Sequence, residues 1–593
     1  MSASAKEIIE EVFTKAVADQ LWTANTLLVL PLTPQGFAVG SVLPAVFYMC
    51  RRACRRGKGR FQQTFSPAEG MRADIHSVAG KLSQDTQSFA GFSSEVTKDI
   101  LGDLLLCDQL ENKSHTEGHR EEIQRAFPVH FFASWLDLPP FVGHLRFVPE
   151  MIVCLLANQQ AGQKLLATAP GTESAFPVGR SPESNLFFSI FGRGVSFGAN
   201  TANLCTDTID EQAPLSIEEL LMIRLAMTCE EAPETARPSH NAVPHIQNIW
   251  PVSQRAAAVF RADLTNFLQT YGNAIPRRSI TPMLESLLGL GLLSIYLESC
   301  SIAVAWERTG DIPVPSAQVP VSIFADASNG SDSRLRDLSE QSFEECVRLL
   351  DQSVISMAQI RVLSALLWDD PDLAGSKPNG PDTSPWLRLL ADVRKGRHEV
   401  SGLTLRDIKL KNGRLAEKLE AAGIEPDAID ILRSTHASQD PAQTAAEALC
   451  AMMGEKLLRT HHFKFLDSCL MVNEPHGLGR KRRVSRNFGG RKRKMMDVRS
   501  AILSNTVLET LVHLHLVGRQ GVLSYAEFLR ILRERYGIWV DECPPGVSAS
   551  REDLLGNRAM LERRLRDLGL LVGVNDAEFM KHLRPRFKIN LRP

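Results

Sequence analysis

Gly479-Arg-Lys-Arg-Arg-Val-Ser-Arg-Asn-Phe-Gly-Gly-Arg-Lys-Arg-Lys494 is the most lopsided stretch of this 593-residue chain, with nine Lys/Arg and no acid between Arg480 and Lys494. Arg480, Lys481, Arg482, Arg483 and Arg486 form one basic cluster, and Arg491, Lys492, Arg493 and Lys494 form another, on either side of Gly489-Gly490. Crowded like charges repel and the glycine pair breaks a helix, so residues 478–497 read as a basic linker. Such a run is ordered by an external polyanion, and because each phosphate it neutralises releases counterions, binding is expected to depend steeply on salt. A solvated linker with no partner explains the same residues.

The totals sharpen that choice. Sixty-seven Lys/Arg against sixty-eight Asp/Glu give a net charge of −1, but from Arg480 onward twenty-four Lys/Arg face twelve Asp/Glu. The last fifth of the chain therefore carries +12 and the rest −13, a local footprint for phosphate rather than general stickiness. A chain of this length exceeds what one core supports, so several folding units are expected. Eleven scattered cysteines without a Cys-x-x-Cys repeat give no zinc ribbon and fit a reducing cytoplasm.

Behind the basic run, residues 498–593 are patterned as a small helical module. Val498–Val517 reads as a buried helix, Ser524 caps a second with Glu527 at N3, Ile538–Val540 as a short strand, and Ser548 and Ser550 compete to cap a third. On the third helix Leu554, Leu561, Leu565 and Leu568 share a core stripe, while Arg563, Arg566 and the small residues Gly556 and Ala559 lie outward. Three helices, a strand at Leu570–Val574 and basic flanks resemble a winged helix-turn-helix, although no second wing strand is evident after Asn575-Asp576, where another helix is expected. The run Leu554–Val572 with its basic linker resembles accessory DNA-binding proteins of bacterial anti-phage islands, of the methylation-associated defence type. That resemblance implies a non-catalytic subunit touching double-stranded DNA beside methyltransferase, nuclease or ATPase subunits. It brings no active-site residues with it.

A candidate second winged-helix module spans 252–310. A stripe from Ala257 to Leu268 ends at Gly272, Arg277 and Arg278 stand in the following turn as phosphate contacts, Thr281-Pro282 opens a short helix to Leu290, and Leu293–Leu297 pairs with Ile302–Trp306 as a hairpin. The short helix is so apolar that burial competes with DNA reading as its role.

Residues 1–230 read as an α+β domain and 335–470 as a helical one, with Pro313–Asp332 and Asp369–Ser384 as connecting loops. Ser216 caps a helix to Thr228. Thr26–Met49, followed by a basic flank, has the length of a membrane anchor, but Pro31, Pro34 and Pro44 favour buried strand and turn. His115 and His119 are four apart yet lack a metal-helix context, and Gly192, Gly194 and Gly198 lack the Lys-Ser/Thr of a phosphate cradle. Asp372, Asp407 and Lys409 offer the residue types of a metal-dependent nuclease without its strand context.

The expectation is thus a mainly α, multidomain chain with small β elements and one or two winged-helix-like modules, acting as a cytoplasmic DNA-binding subunit of a multi-protein defence assembly. No metal and no cofactor is implied. The alternatives are a metal-dependent nuclease and a scaffold that docks on proteins or a membrane.

Overall fold

The computed structural model describes residues 4–22, 28–52, 55–85, 89–112, 122–136, 145, 147–157, 185–196, 210, 212–234, 250–377, 382–434, 440–453, 455–472, 474–487, 493–517, 523–573 and 581–587. It is mainly helical, 62% helix against 8% strand. The chain divides into two compact units, one comprising 37–248, 263–285 and 587–593, the other 1–36, 249–262 and 286–586.

In the first unit, helix α1 (Val42–Arg52) buries Val42, Leu43, Val46 and Phe47 completely. The described part of the membrane-length stretch is therefore non-helical through Pro31 and Pro34 and then a core helix of eleven residues that contains Pro44 in its first turn, too short to span a bilayer. Strands β1 (Gln109–Asn112) and β2 (Glu122–Ala126) pair antiparallel with a register shift at Leu110/Glu111. Helices α2 (Val148–Ala157), α3 (Leu186–Phe191) and α4 (Ile217–Thr228) follow, and Phe47 packs on Phe187 and Phe191 with ring centroids 5.5 and 5.2 Å apart. Ser216 caps α4 in a reciprocal box with Glu219, as its sequence predicts.

Two long helices come next, α5 (Gln254–Tyr271) and α6 (Arg277–Thr309). The helix-turn-helix-hairpin expected over 252–310 is absent, because residues 293–306 continue one helix of 33 residues. Their apolar run fits a helix buried all round as well as paired strands, and Leu292, Ile295, Tyr296, Cys300, Ala303 and Trp306 are buried. Pro282 falls in the second turn, and Thr281 bonds the Arg277 carbonyl instead of capping. This is the one described helix long and apolar enough to cross a membrane, and 83% of its apolar window is buried inside the protein.

The second unit is organised on β3 (Ile323–Asp326), buried at every residue although it lies in the Pro/Ser/Asp-rich segment that reads as a connecting loop. Helix α7 (Ser333–Leu367), capped by Asp332, runs from its end, and Ser339 and Ser342 bond the strand's backbone. Helix α8 (Glu455–Leu470) leads into β4 (Gly479–Asn487) and β5 (Arg493–Ile502). Helix α9 (Asn505–Leu516), β6 (Leu523–Ser524), helix α10 (Tyr525–Tyr536), β7 (Ile538–Trp539), helix α11 (Arg551–Asp567), β8 (Leu571–Val572) and β9 (His582–Leu583) complete it. Ser524 and Ser550 provide the caps of α10 and α11.

The larger sheet has the order β4-β5-β3-β7, with β3 parallel to both neighbours and β4 antiparallel to β5. The smaller has the order β6-β9-β8, both pairings antiparallel. Strand β9 is the partner that the sequence did not disclose, and the helix expected after Asn575-Asp576 lies outside the described residues.

Candidate nucleic-acid interface

The basic run is a two-stranded ribbon, not a linker. Gly479 to Asn487 pair residue for residue with Ala501 to Arg493, nine register pairs in all. Like charges tolerate this because successive residues of a strand lie on opposite faces. The cross-strand partners also dilute the charge, since Arg480 faces Ser500, Arg482 faces Val498 and Arg483 faces Asp497.

Acids clamp the root of the ribbon from both sides. On one face, Lys481 and Arg499, themselves register partners, share Asp467 of α8, with Lys481 Nζ 2.9 Å from Oδ2 and Arg499 Nη2 3.0 Å from it. On the other face Arg482 donates to both carboxylate oxygens of Glu340 on α7, Nη2 at 2.7 Å, and reaches Asp337 at 3.4 Å. Those bonds raise the Arg482 pKa further. Arg499 is buried, stacked over the Phe463 ring.

Beyond the clamp the ribbon is open on one face. Arg483, Ser485, Met495 and Asp497 are exposed there, whereas Val484, Met496 and Val498 on the opposite face are half-buried. Arg480 and Arg483 are exposed and make no ion pair among the described residues. Arg486, Arg493 and Lys494 occupy the distal ladder, with Arg486 opposite Lys494; the placement of their side chains, and of Arg491 and Lys492 altogether, lies outside the described residues.

Helix α11 presents two different faces. Inward, Leu561 and Leu565 are fully buried, and Asn557 accepts from the Ala327 amide and donates to the Ala325 and Val540 carbonyls, at 2.8 to 2.9 Å. Arg564 donates to the carbonyls of Ala327 and Leu503 and to Asn505, and burial lowers its pKa. Outward, Leu555, Gly556, Ala559, Arg563 and Arg566 are exposed. Arg563 is 78% exposed and only 3.9 Å from Asp567, while Arg566 pairs at 2.6 Å with Glu562, which also binds Lys581.

Arg277 and Arg278 stand in the first turn of α6 and not in an exposed turn. Arg277 is buried against Glu219 at 3.4 Å and the Gly272 carbonyl, and Arg278 lies over the Phe127 ring, 3.7 Å from its centroid. Their positions opposite a glutamate and an aromatic could not be read from local spacing. Asp372 lies in a 3-10 turn (Pro371–Ser376) and Asp407 inside helix Ser401–Ala422, paired with Lys411. Among the described residues no three His, Cys, Asp or Glu gather as a metal site, and His115 and His119 are not among them. What sequence reading missed are the positioning residues Asp467, Glu340, Arg499, Asn557 and Arg564, which carry no motif.

The described residues thus form a mainly helical protein with a cationic ribbon clamped at its root and an exposed arginine-bearing helix face. The family model described as "Methylation-associated defense system protein MAD7" matches residues 28–587, and the chain belongs to that family. No curated protein and no solved structure matches it. The chain is therefore a component of a methylation-associated anti-phage defence system, as its C-terminal resemblance implies.

Proposed function

We propose that this chain is a non-catalytic DNA-binding subunit of its defence system, acting in the cytoplasm beside other subunits such as a methyltransferase, nuclease or ATPase. The observation that carries the reading is the ribbon's open face, where Arg483 is exposed just past the acid-paired Lys481, Arg482 and Arg499. A solvated face with no partner would gain nothing from this sorting of paired from unpaired cations.

Residues 505–583 support a winged-helix reading of the C-terminal part. Their order is helix, short strand, helix, short strand, helix and two strands, with β6 paired to β9 as in that fold and with β7 interposed between the two helices and paired to β3 of the larger sheet. The bond network around Asn557 and Arg564 makes this module continuous with the larger sheet, so it works as part of the unit and not as a tethered domain.

The test is a titration of a labelled duplex with the full chain between 50 and 300 mM salt. A log–log slope of about −3 or steeper is expected, since each phosphate neutralised contributes roughly −0.9. Salt-independent binding, or none at the lowest salt, refutes the reading. Cleavage of the duplex with Mg²⁺ or Mn²⁺ would favour the nuclease alternative instead.

A further inference from the structure

We infer that the β4–β5 ribbon, rather than α11, is the element that enters the duplex, and that it does so in the major groove. This rests on the DNA-binding reading above and names the element and the groove.

Helix α11 is poorly suited to lead. A helix-turn-helix reads bases with the N-terminal residues of its recognition helix. The first turn of α11 instead carries Glu552 and Asp553 against a single cation, Arg551, so it presents no excess of positive charge, and Asp553 is held at 3.3 Å from Arg334. Its exposed middle is Leu555, Gly556 and Ala559, without a hydrogen-bonding side chain. Its last turns offer Arg563 and Arg566, placed to rest on backbone phosphates.

The ribbon has the dimensions and the chemistry. Two strands about 4.8 Å apart fit the major groove, about 12 Å wide, which admits a two-stranded ribbon. The five register pairs from Arg483↔Asp497 to Asn487↔Arg493 extend past the acid clamp, about 17 Å at roughly 3.4 Å per pair, against a groove depth of about 8.5 Å. Arg483 and Ser485 on β4, with Met495 and Asp497 on β5, are exposed on one face, and Asn487 and Arg493 hold the next alternate register positions. Arginine to guanine, asparagine to adenine and an apolar contact to the thymine methyl are the pairings of direct readout. Arg486 is the register partner of Lys494, which puts two cationic residues at one level of the distal ladder. An A-form RNA duplex hides its major groove from side chains.

The experiment uses the full chain with a ribbon-trimmed variant, in which Asn-Gly replaces residues 484–496 and closes a two-residue turn between Arg483 and Asp497. The root pairs and both acid clamps stay in place. Two further variants are Arg483→Ala and the double change Arg563→Ala/Arg566→Ala. A 30-base-pair DNA duplex, an RNA duplex and a single strand are the probes, read by anisotropy and by protection of guanine N7 from dimethyl sulfate. Trimming is expected to weaken DNA binding by about 10- to 100-fold and to abolish N7 protection. Arg483→Ala should diminish protection without changing the thermal midpoint, and the helix variant should weaken binding while leaving N7 protected. Unchanged affinity and protection after trimming overturns the ribbon assignment, as does loss of protection in the helix variant alone. Failure of the intact chain to bind DNA, or equal binding of the RNA duplex, removes the DNA reading itself.

Discussion

Two adjacent arginines, Arg482 and Arg483, have opposite fates because a strand sends neighbours to opposite faces. Arg482 neutralises the buried Glu340, and Arg483 is left to solvent. Arg482→Gln is expected to cost about 1 kcal/mol of stability, allowing for the solvent screening of its 45%-exposed side chain, and to leave the salt slope of DNA binding unchanged. Arg483→Gln should instead leave the thermal midpoint unchanged and weaken duplex binding at fixed salt by about 10-fold. Denaturation curves and salt titrations of the two variants separate these outcomes. Asn557 satisfies three buried backbone groups at once, so Asn557→Ala should cost about 3 kcal/mol in urea unfolding. In the other unit, Asp108 is buried with neither carboxylate oxygen hydrogen-bonded, and its pKa is pushed up to about 7 by burial and then by Glu218, with Arg278 opposing. The folded state holds that proton more tightly than the unfolded chain, so this group's contribution to stability declines as pH rises from about 4 to about 7. Asp108→Asn should therefore be more stable than the parent above pH 7, with the advantage vanishing near pH 4, measured as thermal midpoint against pH.

At the scale of elements, β3 depends on partners that arrive late in the chain. Gly537 ends α10 with a φ of 71° and lies so close to Val321 that an added Cβ would collide with its carbonyl. That approach lets Ile538 pair with Ile323. Gly537→Ala combines left-handed strain with a backbone clash, and a loss of roughly 2 kcal/mol or more is expected, accompanied by faster hydrogen exchange at the Ile323 amide, which bonds the Gly537 carbonyl. Helix α6 shows the opposite dependence. Its sequence is apolar enough to satisfy either a hairpin or a buried helix, and burial on all sides selected the helix.

For the whole molecule, the sheet order β4-β5-β3-β7 means that residues 478–593 are not a detachable module. β3 comes from the middle of the chain, and its two neighbours come from the C-terminal part. A chain ending before Leu478 leaves both edges of a fully buried strand unpaired, and a fragment beginning there lacks the strand that β5 and β7 flank. Expressed separately, each is expected to aggregate or to unfold without cooperativity, and circular dichroism melting against the intact chain checks this.

The sequence by itself determined the helical character, the caps at Ser216, Ser524 and Ser550, the leucine stripe of α11, the concentration of positive charge after Arg480 and the defence-system kinship, because each is written in local spacing or composition. Tertiary structure decided that the basic run is a ribbon, that 323–326 is a central strand, that Arg277 and Arg278 are internal, and which cations stay available. Those outcomes turn on Asp467, Glu340, Glu219 and Phe127, each far along the chain from the arginine it meets. A charge is spent or free according to what lies across from it in space, and no local pattern records that.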